Sequence, residues 1–138
     1  MRRTIMTYLA SVAIGVSATF VVAAPASATF AYRCFGYLGN FKDGTKVLWA
    51  DWTKDDRPDE CFGIGPDRRI WHAWPNSGGF KVMPNNGLAD DTLSWRVTGE
   101  GVRQVVVYVA SDRSHWYSNW YPGSEQGWYG WHNCDGQC

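Results

Sequence analysis

The apolar and polar positions of this chain alternate in short bursts, and glycine or proline interrupts them almost everywhere after residue 35. The longest uninterrupted stretch, Val102 to Tyr121, opens with Val102-Arg103-Gln104-Val105-Val106-Val107-Tyr108-Val109, a β-branched and aromatic run that suits a strand. Ser111-Asp112-Arg113-Ser114 supplies turn residues, and His115 to Tyr121 returns as a second strand, so this stretch predicts a hairpin. Two shorter segments, Leu48-Trp49-Ala50-Asp51-Trp52 and Ile70-Trp71-His72-Ala73-Trp74, share an apolar-Trp-x-x-Trp order. With Gly and Pro around them they read as strands, on which side chains three apart point to opposite faces. Each would send one Trp into the core and the other toward solvent or a neighbouring unit. Leu88 to Leu93 has room for one helical turn at most. Short strands with frequent turns predict an all-β domain.

The pattern also repeats. Cys34-Phe35-Gly36 leads through Lys42-Asp43-Gly44-Thr45 to the Trp49–Trp52 strand, and Cys61-Phe62-Gly63 leads through Pro66-Asp67-Arg68-Arg69 to the Trp71–Trp74 strand. A looser third copy runs from Val107 through Asp112-Arg113 to Trp116-Tyr117-Ser118-Asn119-Trp120, with Tyr117 in place of the first Trp. The units fall near 34–52, 61–83 and 106–131, and they predict a fold built from one antiparallel hairpin motif.

The N-terminus belongs to a different class of sequence. Met1-Arg2-Arg3, an apolar run from Ile5 to Ala24, and Pro25-Ala26-Ser27-Ala28 make a signal peptide over residues 1–28, with cleavage after Ala28. Its removal takes 28 of 138 residues and leaves one secreted domain, 29–138, of 110 residues. Of the 13 Lys and Arg, Arg2 and Arg3 leave with the leader, so 11 basic side chains face 13 acidic ones. No basic block survives, which argues against nucleic acid as a partner and, after cleavage, against a membrane. The four cysteines, Cys34, Cys61, Cys134 and Cys138, fit two disulfides in an oxidising compartment. Cys134 and Cys138 could pair locally, or each could tie the C-terminus to Cys34 or Cys61. They lack paired C-x-x-C spacing, so no metal site is expected. All nine Trp lie beyond the leader. That exceeds what a core of this size needs and predicts aromatics at a binding surface.

Phe62 to Trp74, followed by Gly78-Gly79-Phe80, resembles a blade repeat of tandem-repeat β-propeller lectins, and Val106 to Trp131, ending in Gly127-Trp128-Tyr129-Gly130-Trp131, is similar to another. The resemblance implies a secreted glycan-binding protein whose sugars lodge against exposed aromatics. Carried over by position, the candidates are Trp71, Trp74, Phe80, Tyr117, Trp120, Trp128 and Trp131, to which the first hairpin adds Trp49 and Trp52 by its own pattern. The chain departs from the lectin pattern where Phe80 and Met83 replace tryptophans, where the Pro66-Asp67-Arg68 turn lacks a glycine, and in having cysteines. Fewer than three full units cannot close a propeller. The expectation is therefore a compact disulfide-closed barrel or sandwich, or a propeller completed by homo-oligomerisation.

Indoles stack on the apolar face of a pyranose while neighbouring polar groups bond its hydroxyls. Asp51, Arg69, His72, Asn76, His115 and Asn119 adjoin the Trp motifs. No nucleophile elbow or H-E-x-x-H occurs, and the Asp55-Asp56-Arg57-Pro58-Asp59-Glu60 run reads as a solvated turn without regular Ca²⁺-ligand spacing. The sequence thus predicts a non-catalytic protein without cofactor that binds a glycan or cell-surface polysaccharide. The alternatives are a small secreted inhibitor acting on a protein target, for which exposed Trp, Tyr and Arg would also serve, and a cell-envelope structural protein.

Overall fold

Residues 26–138, described by the computed structural model, form ten strands and no helix. All but the last three residues of the expected leader lie outside the described residues. β1 (Thr29–Cys34) and β2 (Tyr37–Lys42) make a two-stranded hairpin. β3 (Leu48–Ala50), β4 (Glu60–Ile64), β5 (Ile70–Ala73) and β6 (Lys81–Val82) form an antiparallel meander in chain order. β7 (Asp91–Val97), β8 (Arg103–Val109), β9 (Ser114–Trp120) and β10 (His132–Asn133) form a second one. The protein is all-β, as its turn-rich pattern predicts, and the expected β8–β9 hairpin is present, with Val106 opposite Tyr117.

Strand alternation explains the layering. On β4, Glu60, Phe62 and Ile64 share one face, and Ile70 and His72 of β5 lie opposite Ile64 and Phe62. That face meets Val105 and Val107 of β8 in the main core, which also holds Trp52, Met83, Ala89 and Trp128. The other face of β4 presents Cys61 and Gly63 to the β1–β2 hairpin. Cys61 bonds Cys34, and a Cβ on Gly63 would collide with the ring of Phe41. The middle sheet is thus covered on both sides, and all five residues of β4 are buried. A strand buried on both faces has no polar-out alternation to show.

The two Cys-Phe-Gly tripeptides adopt different conformations. Phe35 and Gly36 have φ of 51° and 86° and form the two-residue turn of the first hairpin. Phe62 and Gly63 lie inside β4. The segment 34–52 is accordingly divided between the hairpin and the middle sheet, while 61–83 and 106–131 each lie within one meander and its C-terminal extension. The second disulfide is local, Cys134 to Cys138, so no cysteine is free.

Asp90 joins all three layers. Its carboxylate accepts from Lys42 Nζ at 2.9 Å, from Arg68 Nε and Nη2 at 3.0 and 2.9 Å, and from the Ala110 N–H at 2.9 Å. Burial alone would raise its pKa, but the Ala110 N–H, Lys42 and Arg68 outweigh that and lower it to about 2. Arg68 occupies the left-handed position of the β4–β5 turn (φ 67°), where the lectin-like pattern has glycine, and from there its side chain reaches Asp90.

Candidate ligand-binding cleft

A cleft of about 520 Å³ opens between the two meanders at one end of their strands. From the middle sheet come Asp59 and Glu60 at the start of β4, and His72, Trp74 and Pro75 at the end of β5. From the other come Arg103 at the start of β8, Trp120 at the end of β9, and the loop residues Gln126, Gly127 and Trp128. Antiparallel pairing puts these ends together.

Its floor is a buried carboxylate. Glu60 and His72 are 5% and 6% exposed, and Glu60 Oε1 lies 2.6 Å from His72 Nδ1. Trp128 Nε1 donates to the same oxygen at 3.3 Å, and Trp52 Nε1 donates to Oε2 at 2.9 Å. Because both oxygens already accept indole N–H bonds, Nδ1 is the donating nitrogen of His72. Nε2 has no partner among the described residues, and it is not among the solvent-sealed unpaired atoms. The imidazole stacks on Phe62 (centroids 5.9 Å apart, 16° between planes) and touches Trp74 at 5.0 Å.

Arg103 forms one wall. Its guanidinium sits 4.3 Å from the centroid of Trp120 and 5.7 Å from that of Trp52. It makes no hydrogen bond or ion pair with any described residue. Asp59, by contrast, is engaged: Oδ2 accepts from the Thr53 N–H at 2.9 Å and from Thr53 Oγ1 at 3.2 Å. Asp51 likewise accepts from the N–H groups of Asp55 and Asp56, so the acidic loop folds around its own side chains.

Of the nine aromatic candidates, the cleft brings together Trp74, Trp120 and Trp128. Trp74 is 37% exposed, whereas Trp128 and Trp52 are core residues that reach the cleft floor through their indole N–H groups. Trp71 and Phe80 lie on the opposite face of the middle sheet, in a shallow groove with Leu38 and Phe41. Trp49 packs beside the Cys34–Cys61 disulfide, against Phe35 and Tyr32. Tyr117 pairs with His132 on the outside of the second meander. Trp131 sits over Gly87 in a second groove, of about 380 Å³, shared with Trp116 at the far end of the strands.

Sequence reasoning missed Arg103 and Gln126, and it read Glu60 as part of a solvated turn. Glu60 instead begins β4 and is buried. The signal was available: Glu60 is in phase with Phe62 and Ile64, and Arg103 with Val105 and Val107. A charged residue on the inward phase of a strand is either paired in the core or placed at the mouth of a site. No family model matches the chain, and neither a curated protein nor a solved structure does.

Proposed function

We propose that the protein is a secreted, non-catalytic, lectin-like carbohydrate-binding protein and that the cleft between the meanders holds the saccharide. The observation that carries this reading is the convergence of Trp74 and Trp120 on a space of about 520 Å³ rimmed by Arg103, Asp59, Gln126 and His72. Flat aromatic faces suit the apolar side of a pyranose, and fixed polar groups suit its hydroxyls. The signal-like N-terminus and the two disulfides support export, since such bonds persist in oxidising, non-cytoplasmic compartments.

The test is a glycan array probed with the oxidised 29–138 protein, followed by titration of tryptophan fluorescence. Trp74→Ala should abolish binding with an unchanged thermal transition, and Trp120→Ala should do so with some loss of stability, because Trp120 also packs on the core. Normal binding by both variants would overturn the assignment. The exposed Tyr32 and Leu38 on the β1–β2 hairpin favour a protein partner as the second reading. A stoichiometric complex with a protein target and a blank array would establish it instead.

A further inference from the structure

Hydrogen-bonding capacity in the cleft is unevenly spent. Both oxygens of Glu60 are engaged, by His72, Trp52 and Trp128, and Asp59 Oδ2 is held by Thr53. The polar groups that face them across the cleft have no such commitment. The Arg103 guanidinium has no acceptor among the described residues and is fixed in place by stacking on Trp120 at 4.3 Å. The side-chain amide of Gln126 also has no partner among the described residues, and with Nδ1 donating to Glu60 the Nε2 of His72 is likewise free there. Placing a cation where a carboxylate could have neutralised it, and then leaving it unpaired, makes this end of the cleft a receptor for an acceptor-rich anion.

The geometry points to a carboxylate-bearing saccharide, a uronate, as the ligand of this cleft, with Arg103 as the residue that selects its charge. This rests on the carbohydrate reading above. The pyranose ring occupies the aromatic surface of Trp74, and its carboxylate meets the planar fork of Arg103, whose two parallel N–H groups fit both oxygens. Glu60 keeps His72 in place, with Nδ1 as the donor. A phosphate or sulfate monoester would find the same cation, but it needs more donors than the cleft offers on one side.

The experiment uses the oxidised 29–138 protein and matched oligosaccharides differing only at the carboxyl group. Galacturonate, glucuronate and mannuronate oligomers are each titrated beside their carboxyl-reduced counterparts, with tryptophan fluorescence and calorimetry as readouts. At least one uronate should bind about ten- to hundredfold more tightly than its reduced form, as expected for a charge-assisted bidentate contact. Arg103→Met, which keeps the stacked stem, should remove that preference, so that the acidic and reduced forms bind with equal affinity. Arg103→Lys should keep part of it. Equal binding of acidic and reduced forms, or binding of neutral sugars alone, would overturn the uronate assignment and leave the carbohydrate reading standing. No binding of any saccharide would overturn both. A preference that survives in a folded Arg103→Met protein would remove Arg103 from the role. The wild-type comparison decides the ligand class even if neither variant folds.

Discussion

Glu60 shares the inward phase of β4 with Phe62 and Ile64, where a lone carboxylate would be strongly unfavourable; two indole N–H groups and the His72 imidazole make it tolerable. Removing the carboxylate strands all three donors at once. Glu60→Ala should therefore cost about 3–5 kcal/mol in urea unfolding, while Glu60→Gln, which keeps one carbonyl acceptor, should cost less. A loss below about 1 kcal/mol for Glu60→Ala would show that the donors find water instead. Gly63 is constrained by shape. Its missing Cβ is the space that the Phe41 ring occupies, so Gly63→Ala should destabilise by about 1–3 kcal/mol through overpacking. Combining it with Phe41→Leu should recover part of that loss if the ring is the obstacle, because contacting sites are not additive. Additive losses would place the strain elsewhere.

Between elements, Asp90 is the joint. Lys42 comes from β2, Arg68 from the β4–β5 turn, and the Ala110 N–H from the end of β8. Its pKa is about 2 against an ordinary 3.8, so the folded state favours the ionised form. The resulting stability is fully present above the ordinary value and is lost as pH falls through about 2. After allowance for solvent screening at this partly accessible site, that amounts to about 1–2 kcal/mol at neutral pH. Chemical denaturation between pH 5 and pH 2 should show this decline, and Asp90→Asn should start lower and flatten it. An unchanged slope in Asp90→Asn would assign the acid sensitivity to other carboxylates. The same elements show what the sequence made legible. The β8–β9 hairpin follows from its β-branched run and Ser-Asp turn, and the Trp-x-x-Trp spacing separates Trp52 in the core from Trp49, and Trp74 in the cleft from Trp71. The β1–β2 hairpin as a separate layer does not follow, because Cys34-Phe35-Gly36 reads like Cys61-Phe62-Gly63 and only tertiary partners make one a turn and the other a strand. Glu60 was obscured by the acidic run before it, since composition over 55–60 outweighed its phase with Phe62. Which of the nine aromatics share one cleft depends on how the two meanders face each other, and no local pattern carries that.

At the scale of the whole molecule, residues 26–138 divide their apolar surface among three layers, and only the middle sheet is covered on both faces. The Cys34–Cys61 bond is the covalent tie between the outer hairpin and the middle sheet, across a sequence separation of 27; Cys134–Cys138 spans only 4. Loop-closure entropy then ranks them at about 3–4 kcal/mol for the first and about 2 kcal/mol for the second. Replacing Cys34 and Cys61 with Ala should lower the thermal transition clearly. It should also raise hydrogen exchange across 29–42 before the two meanders open, because only non-covalent contacts, those of Tyr32, Tyr37, Phe41 and Lys42 among them, are then left to hold the hairpin. Replacing Cys134 and Cys138 should leave that exchange unchanged. The cleft lies between the meanders, on the side of the middle sheet away from the hairpin. A protein with an undocked hairpin but intact meanders should therefore still bind saccharide, whereas full reduction, which weakens both ends of the fold, should abolish binding and the cooperative transition together. Equal losses from the two disulfide pairs, or an unaltered transition in reductant, would show that packing alone holds the layers.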